Sequence, residues 1–82
     1  MSKALSSIRP GNRVKILSIH NSALKPKLME MGIIEGKEIE VLFRAPFGDP
    51  IAIDMHGYVL SLRIDEAGLI EVEDFIQPTI FA

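Results

Sequence analysis

Between two runs of alternating apolar and polar residues, the chain places the stretch APFGDP at residues 45–50. Pro46 and Pro50 have no N–H to give to a β-ladder, and Gly48–Asp49 between them is a turn pair. A corner this stiff fixes the register of both strands that it joins. Before it, Ile39, Val41 and Phe43 fall in one phase, Glu38, Glu40 and Arg44 in the other, with Leu42 on the outer face. After it, Ile51, Ile53 and Met55 point inward while Asp54 and His56 point outward. A slip by one residue would carry Asp54 and His56 into the core and Ile53 into water, so the pairing is strongly specified.

The flanking segments extend this pattern. RPGNR at 9–13 is a turn, because Pro10 sets its own φ and Gly11 is free to take a positive one. In VKILSIH, Val14 and Ile16 share a face, but the next apolar residue in phase would be Ser18. Bringing Ile19 inward takes one extra residue, which predicts a β-bulge near Leu17–Ser18. NSALKPKLMEMG then changes period, with Leu24, Leu28 and Met31 at helical spacing. Asn21 or Ser22 can cap its start, Gly32 can end it, and Pro26 restricts the helix to a short one with the proline in its first turn. Glu35–Gly36 is a further turn, and His56–Gly57 is the two-residue turn of a hairpin that returns through Tyr58, Leu60 and Leu62. IDEAG at 64–68 reads as a single helical turn around Ala67, followed by a last short strand through Ile70 and Val72. The expected fold is mainly β: a small, closed, SH3-like antiparallel β-barrel of about five strands, with one short inserted helix and a helical turn before the last strand.

The chain has 82 residues, enough for one core, which is expected to occupy residues 1–74 and leave 75–82 as an apolar tail. It contains no cysteine, which excludes disulfides and thiolate metal sites. No run of residues from the apolar set exceeds three, against the roughly 20 needed to span a bilayer. MSKALSSIRPG lacks the apolar run of a signal peptide, so the expected location is cytoplasmic, without membrane insertion. A net charge of −2 disfavours a nucleic-acid binder. Residues 1–44 carry eight basic and four acidic side chains, and residues 45–82 carry one basic, Arg63, and seven acidic. The asymmetry is expected to average out as strands from the two halves interleave; otherwise one basic and one acidic face would steer a partner of matching polarity.

RPGNRVKILSI, LMEMGIIEGKEIEV, APFGDPIAI and LSLRIDEAGLIEV, in this order and spacing, resemble the successive signatures of the FeoA family. The resemblance runs from about Ile8 to Val72. It implies an SH3-like barrel that serves as a small cytoplasmic accessory protein of bacterial ferrous iron transport. The implied partner is the permease FeoB, with its cytoplasmic GTP-binding domain, on which the barrel would dock to modulate transport, being neither pore nor GTPase. A related barrel ends the iron-dependent DtxR-type repressors, so the alternative is a metal-linked regulatory barrel that binds a peptide segment of such a repressor. No DNA-binding helices precede Ile8, which argues against a full repressor.

No residue pattern points to catalysis: nothing places a nucleophile beside an oriented base, and no phosphate-binding GxxxxGK[ST] loop occurs. The expectation is a non-enzyme without a cofactor. A ferrous site of the common type needs two imidazoles and a carboxylate on one face, which only Asp54, His56 and His20 could assemble; all three are expected to be solvated instead. On the helix, Leu28 and Met31 are expected to be core, leaving Lys25, Lys27 and Met29 toward solvent as candidates for partner binding. Phe47, at the apex of the corner, is expected to fold back and plug a barrel end; if exposed, it is a fourth candidate. In the tail, Phe75, Ile76, Ile80 and Phe81 are too apolar to leave in water. They either cover their own barrel or pair with a neighbour's edge and make a homo-oligomer.

Overall fold

The structure is a computed structural model and describes residues 2–75. Six strands form one antiparallel sheet: β1 (Lys3–Ala4), β2 (Arg13–Ile19), β3 (Glu38–Arg44), β4 (Ile51–Asp54), β5 (Val59–Leu62) and β6 (Ile70–Asp74). Their order is β1-β6-β2-β3-β4-β5. A 3₁₀ turn (Leu5–Ser7) follows β1, the helix α1 (Lys25–Glu30) joins β2 to β3, and α2 (Ile64–Ala67) joins β5 to β6. The fold is the expected SH3-like one, with one strand more than the sequence patterns revealed. It is not a closed barrel, because no ladder joins β1 to β5 among the described residues. At one end of the opening the 3₁₀ turn packs on α2 and β6.

Two bulges bend the sheet. Ile16 pairs with Val72 and Ser18 with Glu71, so Leu17 is the extra residue, at the predicted place. The second bulge was not predicted. Val41 pairs with Ile53 but Phe43 with Ala52, which makes Leu42 the extra residue and reverses the phase of the two positions after it. Phe43 therefore stands on the outer face, 58% exposed, where simple alternation had placed it in the core. Arg44, expected outside, is half-buried instead, and its guanidinium donates to the carbonyls of Ser6 and Ile8. This charge-assisted pair of bonds ties the 3₁₀ turn to the end of β3.

The corner between β3 and β4 is closed by the Ala45 N–H donating to the Pro50 carbonyl at 3.0 Å and the Gly48 N–H to the Ala45 carbonyl at 2.7 Å. The Asp49–Pro50 peptide is cis. Asp49 Oδ1 also accepts the Ile64 N–H at 3.0 Å, fastening the corner to the start of α2. The hairpin turn is as expected: His56 and Gly57 both have positive φ, and the Met55 N–H donates to the Tyr58 carbonyl at 2.8 Å.

One apolar cluster unites all these elements. Leu5 comes from the 3₁₀ turn, Ile16 from β2, Leu28 from α1, Ile51 and Ile53 from β4, Leu62 from β5 and Ile70 from β6, and each is fully buried. Acidic β6 lies between β1 and β2, so Glu73 faces Lys15 in register and Asp74 meets Lys3 at 3.2 Å. The charge asymmetry between the halves of the sequence is interleaved in this way. Phe75 donates its N–H to the Arg13 carbonyl at 3.2 Å; Ile76, Ile80 and Phe81, the other apolar tail positions, lie outside the described residues.

Candidate functional site

The surface around α1 concentrates exposed apolar groups. Pro26 occupies the first turn, where its missing N–H costs nothing, and Leu28 two residues on is fully buried. One residue further, about 100° around the helix axis, Met29 is 48% exposed. Leu24 and Met31 are half-buried, Met31 against the core. No side chain caps Leu24, the residue before the helix; Ser22 Oγ accepts the Leu24 N–H at 3.1 Å, which shapes the entry one step earlier. After the helix Gly32 turns the chain with φ +101°, and a Cβ there would stand 2.7 Å from the Tyr58 hydroxyl. That hydroxyl donates to the Met31 carbonyl at 3.1 Å, holding the helix end against the β4–β5 hairpin. Ile33 then enters the core and Ile34 turns outward.

Between α1 and the bulged end of β2 these residues leave a cleft of about 160 Å³. Ile19, Met29, Ile33 and Ile34 supply its apolar lining, and Lys25 and Glu35 bring one charge of each sign. Of the three helical candidates, Met29 and Lys25 belong to this cleft. Lys27 does not: its Nζ lies 3.4 Å from Glu66 Oε2. Glu66 is 5% exposed, and its other oxygen accepts the Arg63 N–H at 2.9 Å at the start of α2. Lys27 thus pairs with a buried carboxylate and joins the two helices, rather than pointing free into solvent.

Phe47 is the fourth candidate, and the expectation that it plugs the barrel fails. It is 100% exposed. The corner hydrogen bonds hold residues 45, 48, 49 and 50 and leave the apex side chain outside. A second, wider cleft of about 440 Å³ adjoins the point where β6 ends, lined by Lys3, Asn12, Arg13, Asp74 and Phe75. Both of its cations are engaged, Lys3 with Asp74 and Arg13 with Glu40 at 3.5 Å.

The metal candidates do not come together. His20 Nε2 lies 2.9 Å from Glu71 at the end of β2, whereas His56 sits in the hairpin turn and Asp54 Oδ1 accepts the Gly57 N–H at 3.3 Å. Among the described residues no group of three or more histidines and carboxylates could hold a metal ion. Every buried side-chain nitrogen and oxygen among them has a hydrogen-bond partner. No helix of the described residues is long and apolar enough to cross a membrane. Sequence reasoning missed Ile34 and Glu66. The doublet Ile33–Ile34 next to a turn was a usable signal, since a chain turning there can bury only one of two adjacent side chains. Glu66 gave none, because Arg63 is not one of the short polar residues that mark a helix start.

The model of the FeoA domain matches residues 3–74. Among curated proteins, the Fe(2+) transport protein A/Fe(2+) transporter FeoB fusion protein of Porphyromonas gingivalis is 34% identical over 70 residues, covering 84% of this chain. The chain spans only 8% of that relative's length. Among solved structures, an FeoA-like protein from Clostridium acetobutylicum superposes with a TM-score of 0.86 at 37% identity, covering 98% of this chain and 94% of the other. A manganese-dependent transcriptional repressor also superposes, with a TM-score of 0.82 over 90% of this chain and 42% of its own, but at 20% identity the likeness is one of fold alone. A domain model that takes in every strand from β1 to β6, together with a solved relative of nearly the same length and shape, leaves one conclusion: the chain belongs to the FeoA family.

Proposed function

We propose that this chain is a non-enzymatic accessory module of ferrous iron transport, which docks on the cytoplasmic GTP-binding part of a FeoB-type permease and modulates it from the cytoplasm. One observation carries the reading. In the Porphyromonas gingivalis relative, a segment similar to this chain shares one polypeptide with a FeoB transporter. Covalent joining raises the effective concentration of two units to the order of mM for a short flexible linker, an arrangement that serves units acting on one another. Iron in this reading is the cargo of the permease and not a ligand of this chain. The satisfied polar groups and the exposed Met29, Ile34 and Phe47 support a role in presenting surface. The fold likeness to repressors carries no second reading.

Capture of the permease's soluble domain on the immobilised chain, with GTP, with GDP and without nucleotide, tests the proposal. Met29→Ala should weaken capture about tenfold, equivalent to about 1.4 kcal/mol, and Lys25→Glu should also weaken it. The melting temperature of Met29→Ala should stay unchanged, because the side chain is half in water. Absence of capture in all nucleotide states would end the docking proposal; capture indifferent to both substitutions would move it to another face.

A further inference from the structure

The molecule carries both halves of a contact that it cannot make with itself. One half is the Phe47 ring, which is entirely in water and therefore not seated in its own chain's cleft. The other half is the cleft beside α1, walled by Ile19, Met29, Ile33 and Ile34. Its volume of about 160 Å³ suits a single aromatic ring, since an apolar cavity of about 150 Å³ takes up benzene. The thioether of Met29 can adapt to the face or edge of a ring.

The charges around the two halves are also complementary. Phe47 is flanked by Asp49, whose carboxylate holds the Ile64 N–H, and exposed Arg63 is the residue preceding Ile64. The cleft is flanked by Lys25 and Glu35. Each half thus carries one acid and one base. The corner that presents Phe47 is closed by two backbone hydrogen bonds and fastened to α2, so little freedom is lost when the ring is seated.

We infer that the cleft beside α1 receives Phe47 of a second copy of this chain. The contact is heterologous: each copy offers a ring at one place and a cleft at another, so association runs head to tail and is not a two-fold dimer. With a single aromatic anchor it is weak and grows with concentration. This inference stands apart from docking on a permease, although it uses the same cleft. Self-association is measured on the purified chain alone, so either proposal can fail without the other.

Sedimentation velocity of the full chain over a concentration series up to millimolar tests it. The weight-average mass should rise from that of one chain toward two or more. Phe47→Ala and Ile34→Asp alter exposed side chains, and a thermal melt of each verifies that it is folded. Each variant alone should remain at the mass of one chain. Mixed, they should associate and stop at two chains, since the first retains an intact cleft and the second an intact ring. Three results would each overturn the inference: a monomer at every wild-type concentration, wild-type association by Phe47→Ala (which would put another segment, such as the C-terminal tail, in the contact), or a mixture that stays monomeric.

Discussion

Lys27 shows how one contact changes the meaning of a residue. By helical spacing it belongs to the solvent side of α1, and spacing cannot reveal that Glu66, 39 positions on, lies beneath it. A buried carboxylate that loses its cation keeps its desolvation cost, typically about 1–3 kcal/mol. Because 61% of the Lys27 side chain is exposed and water can reach Nζ, the low end of that range applies. Lys27→Ala should therefore lower stability by about 1 kcal/mol, read by urea denaturation, and Glu66→Gln should recover part of the loss in the double variant. An unchanged midpoint in Lys27→Ala would mean that water already satisfies Glu66. Position 27 is thus a poor probe of partner binding, whereas Met29 and Ile34 are good ones. Phe43 carries the same lesson for strands: its phase was legible up to Val41, and an extra residue at Leu42 reversed it.

At the scale of elements, everything from β2 to β6 was legible, because each piece advertised itself by period and was bounded by proline or glycine turns. The first bulge was legible for a specific reason: Ser18 stood where an apolar residue was required. The second was not, since Val41, Leu42 and Phe43 are all apolar and any of them could serve as the inward residue. The N-terminal piece was missed altogether. A two-residue strand has no period, and the 3₁₀ turn after it is held by Arg44 from a distant strand. Its weight in the fold is nevertheless large. Leu5 is fully buried in the common core, and removal of such a side chain costs about 2–5 kcal/mol. That is a large part of the roughly 5–15 kcal/mol that holds a domain together. Leu5→Ala should accordingly lower the melting temperature far more than Lys27→Ala does, and hydrogen exchange should accelerate beyond the N-terminal piece, in β6 and α2. Acceleration confined to residues 3–8 would show that the turn is an appendage and not part of the core unit.

For the molecule as a whole, the sheet order settles how charge is spread. With β6 between β1 and β2, acidic and basic positions alternate across neighbouring strands, and the ion pairs formed are mostly at the surface. Such pairs contribute little, and their loss on screening is small. Raising ionic strength from about 0.01 M to about 1 M, which shortens the Debye length from ~30 to ~3 Å, should leave the melting temperature nearly unmoved. A steep fall would show that the paired charges act as one stabilising network. The site itself was only partly legible. Met29, Lys25 and Phe47 could be nominated from residue type and place, but the cleft needs β2 and the stretch after α1 to meet, and that is a matter of tertiary packing. The corner at residues 45–50 has a practical corollary. Its apex side chain takes no part in the interior, so the fold is indifferent to what stands at position 47. A fluorophore or photoreactive group installed there would ride on a rigid mount and report, or trap, whatever comes to that side of the protein.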